Sequence, residues 1–122
     1  MTSTLEISQR FYFDAAHRLL REIEAEGSRR IHGHTYHAEV SVRGTANPAT
    51  GMVMDLGLIR LEVEKIRAQL DHHFLDEVAG LGIPTLENLC AFIAAKMQSQ
   101  GLSLSRVSVW REALGDRCDL RL

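Results

Sequence analysis

Cysteine is nearly missing from this chain of 122 residues. Cys90 and Cys118 are the only two, and their separation gives neither a disulfide framework nor a Cys-x-x-Cys metal site. Charge of one sign is missing too. Fourteen Lys and Arg against 16 Asp and Glu leave a formal net charge of -2, and Arg29-Arg30 is too short for a basic patch, which argues against nucleic acid as a partner. No apolar run reaches the length of a membrane span, and residues 1–9 have neither the basic start nor the apolar stretch of a secretory signal. The expectation is a cytoplasmic protein with no membrane partner. Internal repeats and low-complexity tracts are also absent. What is present is a 45% hydrophobic chain of 13.7 kDa, enough for one core and therefore one domain over residues 1–122.

Two segments alternate with the period of a half-buried strand. Over residues 4–17 the odd positions Leu5, Ile7, Phe11, Phe13, Ala15 and His17 are apolar or end in an imidazole, while Glu6, Ser8, Arg10 and Asp14 take the other side. Over residues 35–44, and backward to residue 32, His32, His34, Tyr36, Ala38, Val40 and Val42 share one face, and His37 falls on the polar face as a solvated residue. Between them lies the charged stretch Arg21 to Arg30. Asn47 to Gly51 is turn chemistry and Met52-Val53-Met54 reads as a short strand. Asp55 is an N-cap for a helix over Leu56 to Leu70 with Ile59, Val63, Ile66 and Leu70 on its buried stripe. A second helix runs from the cap Thr85 to the stop Gly101, with Leu86, Leu89, Cys90, Ile93 and Met97 inward. Strands over Val107 to Glu112 and Cys118 to Leu122 close the chain. This order gives an α+β fold, an antiparallel sheet with both helices on one face, and its open edges favour a homo-oligomer joined through continuous sheets.

Three imidazoles are the chemistry in view. His32 and His34 lie two apart on the apolar face, and His17 ends a neighbouring strand on its own apolar face, so two antiparallel strands can bring all three to one interior point. Two buried imidazoles side by side are costly unless something binds them, and three nitrogens without a fourth protein ligand suit a catalytic rather than a structural Zn2+. Asp71-His72 can form a general-base pair, the carboxylate fixing the tautomer; the same run also fits helix capping and surface charge. Thr85, Glu87 and Glu112 stand at element ends, where isolated polar residues are ordinarily solvated.

The segments Phe13-Asp14-Ala15-Ala16-His17-Arg18-Leu19, Ile31-His32-Gly33-His34-Thr35-Tyr36, Gly51-Met52-Val53-Met54-Asp55, Leu70-Asp71-His72-His73-Phe74-Leu75 and Pro84-Thr85-Leu86-Glu87-Asn88 resemble, in order and across nearly the whole chain, the 6-pyruvoyl tetrahydropterin synthase and 6-carboxytetrahydropterin synthase group. The resemblance implies the tunnelling fold, in which four-stranded sheets with two helices assemble into a barrel, a trimer stacked into a homohexamer with sites between subunits. It implies zinc on His17, His32 and His34, proton transfer by Asp71 and His72, and a pterin held by Glu112 with Thr85 and Glu87. The implied reaction acts on 7,8-dihydroneopterin triphosphate. A 6-carboxytetrahydropterin synthase serving queuosine and other deazapurine pathways leads, followed by a 6-pyruvoyl synthase or a dihydropterin side-chain lyase feeding folate, and from another class a catalytically weak pterin-binding protein.

Two departures from the group's pattern stand out. Four residues before His32, where a cysteine is usual, this chain has Ser28, whose hydroxyl is far less acidic than a thiol of pKa about 8.5. The role passes to Ser28 as a polarised donor, to a loop carboxylate such as Glu26 or Glu24, or to His72 alone. In the last strand the usual glutamate register holds Arg111, with Glu112 one step later, so a bulge at Trp110-Arg111 is required for Glu112 to face the site.

Overall fold

Apolar–polar alternation does what its period demands over the first 44 residues. In a computed structural model that describes residues 3–122, β1 (Leu5–His17) and β2 (His32–Gly44) are 13-residue strands paired antiparallel along their whole length, from Leu5 opposite Gly44 to His17 opposite His32. β3 (Leu104–Arg111) pairs with β2, and β4 (Asp116–Arg121) with β3, giving one antiparallel sheet of order β1-β2-β3-β4. Three helices complete the fold: the short α1 (Ala25–Arg29), α2 (Leu56–Leu70) and α3 (Leu86–Ser99), with a 3-10 turn over Leu75–Glu77. Met1 and Thr2, the first residues of the expected domain, lie outside the described residues.

Both long helices begin where their caps were expected. The Asp55 carboxylate accepts from the Gly57 N–H at 2.8 Å, and the Thr85 hydroxyl from the Asn88 N–H at 3.1 Å, each satisfying an otherwise orphaned donor. α2 packs on β1 and α3 on β3 and β4. Their buried stripes, Ile59, Val63, Ile66 and Leu70 from α2 and Leu89, Ile93 and Met97 from α3, join Phe13, Tyr36, Val40, Val107 and Val109 of one sheet face in a single core. Cys90 is buried in it, and desolvation together with the neighbouring Cys118 pushes its thiol up to about 12, so it is an inert packing residue. The opposite sheet face is polar: Arg10 and Arg106 both reach Glu39, at 2.7 and 2.9 Å, and Ser8 meets Ser41 at 2.7 Å. No helix among the described residues is long and apolar enough to cross a membrane.

Four local expectations are corrected. Met52-Val53-Met54 is not a strand: the Met52 carbonyl accepts from the Asn47 N–H at 2.9 Å, closing the turn on itself, and Val53 and Met54 pack against the core as bends. The stretch Arg21 to Arg30 contains α1, hidden in the sequence because it is five residues long, includes Gly27 and starts at Glu24 with no side-chain cap and a left-handed backbone, φ 57°. The strand after it starts at His32, not Thr35, because His17 offers a partner there. The sheet's irregularity lies at Ser105, which is skipped between Ser41 opposite Arg106 and Val42 opposite Leu104; the register through Trp110 is regular.

Ile93 is fully buried and Gln98 exposed on the same helix. Ile93→Ala is expected to lower unfolding free energy by about 2–5 kcal/mol and Gln98→Ala to stay within about 0.5 kcal/mol, measured by chemical denaturation.

Candidate metal centre

The β1–β2 register decides the site. His17 closes β1 opposite His32, and His34 stands two residues along on the same face, opposite Ala15. The three rings form a near-equilateral, edge-to-face cluster with centroids 4.6, 4.9 and 4.8 Å apart, and one nitrogen from each lies within 4.8 Å of the others.

Hydrogen bonds on the outer nitrogens orient the inner ones. His17 Nδ1–H donates to the Pro84 carbonyl at 3.0 Å and His32 Nδ1–H to the Arg30 carbonyl at 2.7 Å. Since carbonyls only accept, both Nδ1 atoms carry the proton and both Nε2 atoms present lone pairs, 3.0 Å from each other. Two lone pairs at that distance repel unless a cation lies between them. His34 Nε2 is buried with no partner at all. Burial lowers the pKa of His17, with the charge on His32 adding to it, and burial with His17 beside it lowers that of His34 to about 4, so these rings are neutral near pH 7. Three imidazoles converging with one nitrogen each fit a metal ion that keeps one position open.

The histidines line a cavity of about 380 Å³ with Ser28, Glu24 and Arg111. Ser28 is buried and pinned twice: its hydroxyl donates to the Ala25 carbonyl at 3.0 Å, and its own carbonyl accepts from the Leu19 N–H at 2.6 Å. Glu26 is exposed and does not line the cavity; Glu24 does, because its left-handed backbone turns the chain inward ahead of α1.

Asp71 and His72 form the expected pair. His72 Nδ1–H donates to Asp71 Oδ2 at 2.8 Å, while Asp71 Oδ1 accepts from the Asp14 N–H at 2.9 Å. The Asp14 N–H, then His72, hold the Asp71 carboxyl below the ordinary carboxylate range. His72 has φ 58°, a strained conformation for a side-chain-bearing residue, held by its own N–H donating to the Asp14 carbonyl at 2.6 Å. The pair opens on a neighbouring cavity of about 520 Å³, and His34 is a wall of both cavities.

The residues expected to bind a ring fare differently. Thr85 is half-buried and committed to capping α3, Glu87 is exposed on its first turn, and neither lines the histidine cavity. Glu112 is exposed in the β3–β4 turn beside Trp110 and Arg117, and no bulge turns it inward. Arg111 faces the histidines instead, continuing the inward parity of Val107 and Val109. That parity was readable, whereas the Pro84 carbonyl that fixes His17 carried no signal in the sequence. His37 lies on the polar face, half-buried rather than solvated because its ring stacks on Trp110 at 5.7 Å.

A four-stranded antiparallel sheet backed by two long helices, with an open three-histidine site at the end of its β1–β2 pair and an Asp-His pair alongside, defines a small α+β protein of the pterin synthase type. The family model described as 6-pyruvoyl tetrahydropterin synthase matches residues 6–121, and the chain belongs to that family. It is 36% identical over 102 residues to the 6-carboxy-5,6,7,8-tetrahydropterin synthase of Synechocystis, covering 79% of this chain and 77% of the relative. It is 32% identical over 107 residues to the dihydroneopterin monophosphate aldolase of Pyrococcus furiosus, covering 85% and 87%. The solved structure of Caenorhabditis elegans 6-pyruvoyl tetrahydropterin synthase superimposes with a TM-score of 0.83 at 24% identity, covering 99% of this chain and 97% of that one, a likeness of fold.

His34→Ala is expected to reduce metal content of untagged protein to background in elemental analysis, and His37→Ala to leave it at the wild-type level. Equal loss in both would contradict the face assignment.

Proposed function

We propose that this chain is a zinc-dependent 6-carboxytetrahydropterin synthase, which converts 7,8-dihydroneopterin triphosphate and water to 6-carboxytetrahydropterin, acetaldehyde and triphosphate in the biosynthesis of queuosine and other deazapurines. The observation that carries it is the convergence of three imidazole nitrogens beside an Asp-His pair, with His34 the wall between the two cavities. The likeness to the Synechocystis enzyme favours the carboxy product.

His17, His32 and His34 would hold Zn2+, which supplies Lewis acidity that stabilises negative charge developing on the substrate's side-chain oxygens. Every other role falls to the chain. Asp71 fixes the His72 tautomer with the proton on Nδ1, leaving Nε2 as the base that accepts a side-chain proton; the depressed Asp71 pKa keeps that carboxylate ionised. The left-handed backbone of His72 projects the ring from the end of α2 into the open, where a substrate can reach it. In the histidine cavity Ser28 lacks thiol acidity and its hydroxyl is engaged with Ala25, so Glu24 is the group that exchanges the second proton. Ring recognition by Glu112, Thr85 and Glu87 requires an adjoining subunit to bring them to the cavity. The exposed edges of β1 and β4 support closure into a homohexameric barrel.

One observation favours a second reading, a dihydropterin side-chain lyase serving folate: the cavity offers a serine and a carboxylate, no thiol, and the aldolase of Pyrococcus furiosus aligns over more of this chain than the carboxy synthase does.

Incubation of the zinc-loaded protein with 7,8-dihydroneopterin triphosphate, followed by mass spectrometry, is expected to yield 6-carboxytetrahydropterin with acetaldehyde. A shortened alcohol side chain would establish the lyase instead, and absence of turnover would refute both. Asp71→Asn is expected to lower kcat by about 10²–10⁴. Glu24→Gln should fall in the same range while Glu26→Gln keeps wild-type turnover; full activity in Glu24→Gln returns the second proton to Ser28 or His72.

A further inference from the structure

Two cations of the histidine cavity have no role in the proposed reaction, the exposed Arg21 and the largely buried Arg111. Arg111 is the last residue of β3, on the core-facing side, and its side chain is only 13% exposed. Across the hairpin its Nη2–H donates to Asp116 Oδ2 at 2.8 Å, and the two residues are register partners. Nε is different: it is buried and has no acceptor.

Charge balance around it leaves an excess of one sign. Arg21 lies against Glu24 at 3.4 Å and Arg111 against Asp116 at 2.8 Å, so the four charged groups lining this wall cancel in pairs. A divalent ion on the three imidazoles would make the cavity positive, and among the described residues the Arg111 Nε–H is the buried side-chain donor of this wall without an acceptor, although the Tyr36 hydroxyl engages the same guanidinium. Two residues that line the same cavity therefore carry a buried atom without a partner, His34 at its Nε2 and Arg111 at its Nε–H. A cation satisfies the first. An anion satisfies the second, and a buried charged donor left without an acceptor is costly.

We propose that Arg111 is a specificity-determining residue that receives an oxyanion of the ligand, a carboxylate or a phosphate oxygen, through its Nε–H beside the metal. This rests on the reading of the cavity as a substrate site and not on which pterin product is made. The Asp116 contact serves as the positioning device: it holds the guanidinium by one Nη and leaves Nε free of the hairpin pair. A guanidinium at this wall disfavours the N–H-rich edge of a pterin ring, which seeks a carboxylate, and favours the anionic end of such a molecule. The cavity thus sorts ligands by charge before any chemistry occurs.

The test uses the zinc-loaded full chain and two probes, inorganic phosphate and acetate, each titrated at constant ionic strength while the Arg111 Nε–H resonance is followed by nitrogen-proton NMR. At least one probe is expected to shift that resonance saturably, and Arg111→Gln is expected to keep its zinc and bind the same probe at least about tenfold more weakly. A response to phosphate alone assigns a phosphoryl group, one to acetate alone a carboxylate, and one to both a general oxyanion site. An unmoved resonance with both probes overturns the proposal, whether or not the variant folds, as does unchanged affinity in a zinc-containing Arg111→Gln protein. No pterin or turnover enters the measurement, so its failure and the failure of the synthase assay are separate results.

Discussion

The ladder between β1 and β2 is the constraint on which the rest depends. Its last rung sets His17 against His32, and a slip of one residue in either strand would turn every side chain on that strand to the other face, taking its imidazoles out of the cluster and its aromatic residues out of the core. The same register thus builds the hydrophobic face and the metal centre, and Phe13 stacked on Tyr36 at 5.1 Å, four residues from the last rung, makes the pairing costly to move. A site that forms at the end of a fully paired hairpin is preorganised: its nitrogens are aimed before any ligand arrives.

Around that hairpin the other elements act as braces. The carbonyl of Pro84, just ahead of α3, fixes the tautomer of His17, and the Arg30 carbonyl does the same for His32. Asp14, in the middle of the first histidine motif, uses its backbone N–H and carbonyl to hold Asp71 and His72 at the end of α2. The three-histidine cluster and the Asp71–His72 pair are consequently coupled through β1 itself, with only two residues between Asp14 and His17. Ser28 is tied to Leu19 by the chain's return toward β2, which places Glu24 at the cavity wall.

The electrostatic design separates two chemistries. The histidine cavity is lined by ion pairs that cancel, so its character is set by whatever occupies the imidazoles and by the one unpaired donor on Arg111. The neighbouring cavity is lined by the exposed His72, whose Nδ1–H is held by the ionised Asp71. Glu112 lies outside both cavities, in a turn that faces a different wall of the protein.

Residue order alone determined the two helices with their caps at Asp55 and Thr85, the inward parity of the strands and the convergence of three histidines, because periods of 3.6 and 2 and short-range capping are local properties. The Asp71–His72 contact was legible for the same reason, being formed by neighbours. Tertiary structure decided what depends on distant backbone: which carbonyls fix the imidazole tautomers, that Glu24 rather than Glu26 reaches the cavity, and that the bulge falls at Ser105 and leaves Arg111 inside and Glu112 outside. A bulge responds to the competing demands of two strands far apart in sequence, and a left-handed residue before a capless helix to the space left between them, so neither has a signature that a linear pattern can carry.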